Sequence, residues 1–532
     1  MKTLSNLFAD FPLKIVSGTP TAVTINKIAS DSRKVEAGDL FVAMSGEYFD
    51  GHKYIPNAIA QGAVAIVGEQ AFTDLSVPYI QVENARQSLA HLAAAYYDHP
   101  ARKLTMLGVT GTDGKTTTSN FLYQILRAAK LKVGMISTVN AIIGDQVLDT
   151  GFHVTTPDAT DTQRYLAQMV DAGLTHVILE TTSHGWAQYR VDACEFDIGV
   201  VTNITHEHLD YHGSYEAYRA AKGRLFESLG DTADKAQGNP RLAVLNLDDI
   251  SYPYLSRIAP GPQTCYSVDK AATARADSVK HLPNGIEFDI IGNLQPLSGA
   301  NESERSRRAA FSVPIKTQLV GAYNVSNILA AFSAAVFGLG IDPETAAKGI
   351  ATLEGIPGRM ERIDMGQNFT AIVDFAHTPF ALKAAIESAR EMTDGRVIAL
   401  FGSAGLRDRE KRRMMAEYSA ELADLTVLTA EDPRTESLGE ILSEMAAGAV
   451  DKGAVENQSF WRVEDRGAAI LFALQLANPN DVVLICGKGH EQSMCFGDIE
   501  YPWDDRIATR AALGKFLGVN APEMPYLPTQ EK

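Results

Sequence analysis

Between a buried-looking apolar run, TMLGVT (residues 105–110), and an amphipathic stretch, SNFLYQILRAAK, the chain carries GVTGTDGKTTT at residues 108–118. A glycine-rich turn that leaves a strand and opens a helix aims backbone N–H groups and the positive helix end at an anion. The segment therefore calls for a phosphate cradle in an α/β sheet. Gly111 and Gly114 let the backbone approach the anion, Thr112 and Asp113 form the turn, and Lys115 reaches the β- and γ-phosphates of a nucleotide. Thr116 offers its hydroxyl to Mg²⁺, a hard cation that prefers oxygen ligands, and Thr117 continues the helix. Measured against GxxxxGK[ST], the pattern departs at its first glycine, which is Val109 here.

Strand-like and helix-like segments alternate on both sides of this loop. DLFVAM, AVAIV and YIQV lie before it, HVILET, IGVVTNI and RLAVLN after it, and AIVDFA, VIALFG, LTVLTA and DVVLICG near the end. Short apolar runs separated by helical segments predict parallel sheets covered on both faces. At 532 residues the chain is long for one core, and domains seldom exceed about 250 residues. The expected class is α/β in three domains: a small one over residues 1–98, a central phosphate-loop domain with a parallel sheet over 99–355, and a Rossmann-like one over 356–532. Residues 271–304 read as an insertion in which NGIEFDIIGN forms a hairpin and LSGANESERSRR a mobile loop.

Charge narrows the partners. Forty-eight Lys and Arg oppose 65 Asp and Glu, a formal net charge of -17, which repels nucleic acid and anionic lipid. The four cysteines, Cys194, Cys265, Cys486 and Cys495, fit neither a disulfide framework nor a zinc site. Asp10 and Pro12 break the start before a signal-peptide core forms, and the longest apolar stretch, Ile328 to Ile341, is short of the roughly 20 residues a membrane span needs. A cytoplasmic protein is expected.

In an open α/β sheet ligands bind at the carboxyl ends of strands. HVILETTSH ends a strand at Glu180, and TNITHEHLDYH sets His206, Glu207, His208, Asp210 and His212 after another. Glu180 and His208 are the candidate metal ligands.

GTDGKTT, ETTSHGWAQYRV, TNITHEHLDYHGSYEAYRAAK, GAYNVSN, GIPGRMERID, VDFAHTP and GKGHE, in that order over nearly the whole chain, resemble the Mur ligases of peptidoglycan synthesis. Within them, the likeness is to the branch that adds a diamino acid as the third peptide residue. That resemblance implies an amide ligase in which ATP phosphorylates the terminal carboxylate of UDP-N-acetylmuramoyl-L-alanyl-D-glutamate and an amine displaces the phosphate. Catalysis is then implied for Lys115, Glu180, His208 and Lys222, with Thr116, Glu180, His208 and Lys222 holding Mg²⁺ and Lys222 carbamylated by CO₂. By its own chemistry Lys222, in YRAAKGRLF, reads as a solvated helix lysine. Asn327, Arg359 and Asp374 match the remaining ATP contacts, with Asn324 beside the adenine. Ser32, Glu47 and Tyr48 match uridine-domain positions, and Thr155, Thr156, Thr182, Gln188 and Arg190 match muramoyl-peptide positions. The resemblance further implies that the first domain binds uridine, the second ATP and the third the amino acid, in a monomer. Folylpolyglutamate or cyanophycin-type ligases, and a non-catalytic nucleotide-binding scaffold, are the alternatives. The first 98 residues count against a folate enzyme, and the retention of Lys115, Glu180, His208 and Lys222 counts against a scaffold.

The amino-acid pocket is implied at Arg407, Glu431, Asp432, Pro433, Arg434, Gly487 and Glu491. Arg434 can pair bidentately with a distal carboxylate, such as meso-diaminopimelate carries, whereas lysine or ornithine offers an ammonium there. In AEDPRTES, Glu431 and Asp432 stand where the family pattern has Asp and Asn. The added carboxylate at Asp432 pulls toward an ammonium, so meso-diaminopimelate is favoured with lysine and ornithine left open.

Overall fold

The alternating apolar runs assemble into three sheets along the chain. The computed structural model describes residues 2–46, 50–148, 156–205, 207, 209–282, 284–293 and 310–531. Glu47, Tyr48, Thr155, His206, His208 and the LSGANESERSRR segment lie outside the described residues. The first sheet runs in the order Ile15–Ser17, Tyr79–Val82, Ala65–Gly68, Leu40–Val42, Ile28–Ala29, parallel except at the first pair.

The central sheet has 11 strands. At its middle, Thr105–Thr110 lies between His176–Glu180 and Ile198–Val201, all parallel, with Glu180 opposite Val109 and Val201 opposite Thr110. The three carboxyl ends thus finish level, on the two sides of a topological switch point. Helix Lys115–Ala128 leaves that edge and buries Phe121, Leu122, Ile125 and Leu126 completely against the sheet. Helix Tyr215–Glu227, capped by Ser214, packs on the other side through Leu225 and Phe226.

The stretch expected as an insertion is part of this sheet. Ala274–Leu282 pairs parallel to Gln263–Ser267, and Gly285–Asn293 and Ala310–Thr317 then extend it antiparallel. NGIEFDIIGN is not a hairpin by itself: it supplies a turn and one complete strand, and its partners come from outside the segment. Every second residue of it, Ile286, Phe288 and Ile290, is buried, the period-2 pattern of a one-face strand that short polar composition hid.

In the third sheet, Thr370–Asp374, Val482–Cys486, Val397–Phe401, Leu425–Leu428 and Phe460–Arg462 run parallel in that order, with Glu361–Ile363 antiparallel at the edge.

One buried ion pair ties the central sheet to its covering loop. Lys235 Nζ donates to Asp197 Oδ2 at 2.6 Å, and both side chains are fully buried. Removing one partner leaves a buried charge uncompensated. Lys235→Met is expected to lower stability by about 3 kcal/mol, read as a lower urea midpoint, whereas breaking a solvent-screened pair such as Lys14 with Glu83 should leave the midpoint nearly unchanged.

Candidate active site

Gly111 and Gly114 hold φ of +152° and +81°, and a Cβ at either would lie 1.8 Å from Thr202 Oγ1 or 2.2 Å from Asn327 Oδ1. Only glycine fits both the backbone and the space. Gly114 caps helix Lys115–Ala128 without a side-chain hydrogen bond, which leaves the first N–H groups available to an anion. Without one, Lys115 Nζ folds back and donates to the carbonyls of Gly111 at 3.0 Å and Thr112 at 2.7 Å. Asn203 and Thr202, from the neighbouring strand end, fasten the Asp113 backbone: its N–H donates to Asn203 Oδ1 and its carbonyl accepts from both side chains. Thr112 Oγ1 meets Tyr218 Oη at 3.0 Å. Burial, with Glu207 next, pushes the Asp113 carboxyl up to about 6.

Glu180 is fully buried, and its Oε2 accepts from Thr116 Oγ1 at 3.1 Å and Thr138 Oγ1 at 2.8 Å. Its Oε1 is buried with no hydrogen-bond partner. Burial raises its carboxyl above the usual range. An orphaned carboxylate oxygen beside a threonine hydroxyl is the hard oxygen set that suits Mg²⁺. Among the described residues no cluster of three or more His, Cys, Asp or Glu side chains forms a metal site.

Lys222 is not solvated. It is 2% exposed, its Nζ donates to the Gly111 carbonyl at 2.6 Å, and it lies 4.7 Å from the Tyr218 ring centroid. Burial, then the Lys115 charge, holds its ammonium well below the ordinary lysine range. Its side chain enters the cradle because helix Tyr215–Glu227 turns that face inward.

The phosphate loop forms one wall of a cavity of about 640 Å³. Asp113, Gly114, Thr117, Asn324 and Asn327 line it from the central domain, and Arg359 and Asp374 from the third. Asn327 Nδ2 donates to Asn324 Oδ1 at 3.0 Å. Arg359 lies 4.5 Å over the Phe375 ring, with its Nε unpartnered. Asp374, at a strand end, accepts from the Met360 and Ala376 N–H groups.

A second network lies on the other side of Glu180. Thr156 Oγ1 meets Thr182 Oγ1 at 3.1 Å and donates to the Glu180 carbonyl at 3.2 Å. Thr182 also caps helix Ser183–Ala187 by accepting from the Gly185 N–H, so a threonine serves at this position. Arg190 donates to the Thr156 carbonyl and, through two nitrogens, to Gln188 Oε1. Ser32 is buried just past the carboxyl end of Ile28–Ala29 in the first domain, apart from both networks.

Adjacent strand ends of the third sheet gather the remaining residues. Gly487, with φ of +117°, donates from its N–H to the Asp374 carbonyl at 3.1 Å. Glu431 is buried beside it with Oε2 unpartnered, and burial pushes its carboxyl up to about 6. Asp432 is occupied: both of its oxygens accept from Lys488 Nζ at 3.0 Å, and Glu491 takes the same ammonium at 2.5 Å. Pro433 packs against Gly405, where a Cβ would lie 2.0 Å from the Pro433 carbonyl oxygen. Arg434 is half-buried, and its backbone joins Cys495 and Gly497. Arg407 is exposed on the loop after Val397–Phe401.

Sequence reasoning missed Thr138, Asn203, Tyr218, Phe375 and Lys488. Asn203 and Tyr218 lay within the quoted TNITHEHLDYHGSYEAYRAAK, Phe375 within VDFAHTP and Lys488 within GKGHE, whereas Thr138 acts through tertiary contacts alone.

The fold and site define a three-domain α/β protein with a phosphate loop and a nucleotide-sized cavity shared by its central and third domains. The Mur ligase middle domain matches residues 109–335, the Mur ligase glutamate ligase domain matches 358–489, and the Mur ligase family catalytic domain matches 24–97. A UDP-N-acetylmuramoyl-L-alanyl-D-glutamate–2,6-diaminopimelate ligase of Geobacillus thermodenitrificans is 38% identical over 496 residues, covering 93% of this chain and 96% of that one. A UDP-N-acetylmuramyl-tripeptide synthetase of Roseiflexus sp. is 39% identical over 504 residues, covering 93% and 96%. Among solved structures, a UDP-N-acetylmuramoyl-L-alanyl-D-glutamate–2,6-diaminopimelate ligase superposes with a TM-score of 0.64 at 27% identity, covering 97% of this chain and 99% of that one. The chain belongs to the Mur ligase family.

Proposed function

We propose that this ligase joins meso-diaminopimelate to UDP-N-acetylmuramoyl-L-alanyl-D-glutamate with ATP, in cytoplasmic peptidoglycan precursor synthesis. The observation that carries the reading is that two sites stand at adjacent strand ends. Asp374, which lines the cavity shared with the phosphate loop, Asn327 and Arg359, accepts from the Gly487 N–H, and Gly487 lies beside Glu431 of the cluster that includes Asp432 and Arg434. A nucleotide and an amine held there are neighbours, as an acyl-phosphate route requires. The names of the relatives, which span most of the chain, support the same amine.

In this reading residues 1–98 bind the uridine end through Ser32, Glu47 and Tyr48, residues 99–355 bind ATP, and residues 356–532 close over it. Thr155, Thr156, Thr182, Gln188 and Arg190 hold the muramoyl peptide with its terminal carboxylate toward the γ-phosphate. Lys115 leaves the Gly111 and Thr112 carbonyls and takes the phosphate oxygens, where charge develops as the phosphoryl group moves to the carboxylate. The amine then attacks the acyl carbon, and phosphate leaves with the C–O bonding pair. Closure by Arg359 and Asp374 excludes water from the acyl phosphate. Thr116, Glu180, His208 and Lys222 hold Mg²⁺, which supplies positive charge to the phosphate oxygens. Burial lowers the cost of deprotonating Lys222, and the free amine's lone pair adds to CO₂, with loss of a proton to solvent, to give an anionic carbamate. The protein works as a monomer.

The test is ADP release together with mass detection of the amide, using purified protein, ATP, the UDP-dipeptide and each of meso-diaminopimelate, lysine and ornithine. Amide is expected with meso-diaminopimelate and only when the UDP-dipeptide is present. No amide with any of the three amines ends the reading. Arg434→Ala is expected to raise the KM for the amino acid by roughly 30-fold or more while the KM for ATP moves less than about threefold. Equal changes in both would remove Arg434 from the pocket.

A further inference from the structure

We propose that Lys488 is a specificity-determining positioning residue: by holding the Asp432 carboxylate, it withdraws that anion from a terminal ammonium and leaves Arg434 to select an amine with a carboxylate at its far end. The proposal rests on the ligase reading above and concerns which amine that ligase takes.

Asp432 is the departure in this chain that pulls toward lysine or ornithine, since it adds a negative charge two residues from Arg434. The geometry cancels that pull. Lys488 Nζ lies 3.0 Å from each Asp432 oxygen, and the Cys495 N–H donates to Oδ1 at 2.9 Å. Lys488 is fully buried and Asp432 is 7% exposed. A carboxylate so held is bonded through both oxygens to donors of the protein and has little left for a substrate.

The backbone fixes this arrangement. Asp432 and Arg434 both adopt left-handed conformations, at φ of +40° and +54°. The Asp432 carbonyl accepts from Gly405, the Arg434 N–H donates to the Cys495 carbonyl, and the Arg434 carbonyl accepts from Gly497. The loop is thus stitched to strand Ser493–Phe496 with Asp432 turned in to Lys488 and Arg434 on the other side of it. Burial opposes the Lys488 charge, but Glu491 and Asp432 together hold the ammonium above its ordinary range, so it stays a cation. Glu491 gives one oxygen, Oε2, to Lys488. With Asp432 so held, the Arg434 guanidinium is left to pair with a carboxylate at the far end of the amine, which lysine and ornithine lack.

The test measures kcat/KM for meso-diaminopimelate and for L-lysine, with the UDP-dipeptide and ATP, in the wild type and in Asp432→Asn, Lys488→Met, Lys488→Arg and the double variant Asp432→Asn with Lys488→Met. A merely structural role lowers both amines together; selectivity is their ratio. Lys488→Met, which frees Asp432 to pair with Arg434, is expected to reduce the diaminopimelate-to-lysine ratio at least about tenfold, through the KM for diaminopimelate and not that for ATP. Asp432→Asn and Lys488→Arg keep the ratio within about threefold, and the double variant recovers it, because the two charges cancel in the wild type and are both absent in the double variant. If Lys488→Met does not fold, the double variant and Lys488→Arg decide the matter, since a lost ratio in either overturns the proposal. A wild type that prefers lysine and loses that preference in Asp432→Asn also overturns it, with the ligase reading intact. Absence of amide formation by the wild type with every amine overturns the ligase reading instead.

Discussion

Lys115→Ala is expected to abolish turnover, with kcat/KM for ATP falling by on the order of 10³ or more. The ammonium is held by two carbonyls of its own loop, Gly111 and Thr112, which keeps it at the cradle. Lys222 also donates to the Gly111 carbonyl, but burial holds its ammonium well below the ordinary lysine range, so it is a poor substitute for the Lys115 cation. Folding should be largely unaffected, since the hydrogen bonds lost with Lys115 are two half-buried ones within its own loop. Steady-state ADP release checks the first part and the thermal midpoint the second. Turnover within tenfold of the wild type would remove Lys115 from phosphate binding.

The second large effect is expected at Lys222. Lys222→Ala should lower kcat by on the order of 10³, and millimolar acetate or formate should restore a measurable fraction by placing a carboxylate where the carbamate would be. Rescue separates the carbamate reading from a purely structural one, because a lost packing contact is not repaired by an anion. The wild-type enzyme should also lose activity in CO₂-depleted buffer and regain it with bicarbonate. Lys222→Ala activity that ignores added carboxylic acids, together with indifference of the wild type to CO₂, would rule the modification out.

These two lysines differ in how far their roles are legible from residue order. The phosphate loop is a local object: Gly111 and Gly114 need positive φ, the strand precedes and the helix follows, and all of it lies within residues 105–128. Lys222 carries no such signal. Its helix looks amphipathic with a lysine on its polar side, and only packing of that helix against the cradle buries the residue and disfavours its ammonium. Glu180 is intermediate. A strand ending in glutamate was readable, but its partner Thr138 comes from another strand end, and the orphaned oxygen that makes it a metal ligand candidate exists only in three dimensions. The same reason explains the hairpin that was misread at NGIEFDIIGN, whose pairing partners are segments outside it.

Charge follows the same division. The -17 net charge is a sum over the whole chain and sets an expectation against nucleic acid, yet it says nothing about a site that must gather cations for anionic substrates. Asp432 is the sharpest case. Read along the chain it is an extra negative charge in the amino-acid pocket, which argues for an ammonium. Lys488 is 56 residues away in sequence and 3.0 Å away in space, and it reverses the argument. Motifs, the alternation of strands with helices and the family were already written in the residues, because each depends on local backbone geometry or on periodicity of burial. The net charge that a substrate meets was not, because it depends on which side chains neutralise one another across adjacent strand ends, and those ends are brought together only by the folding of the sheet.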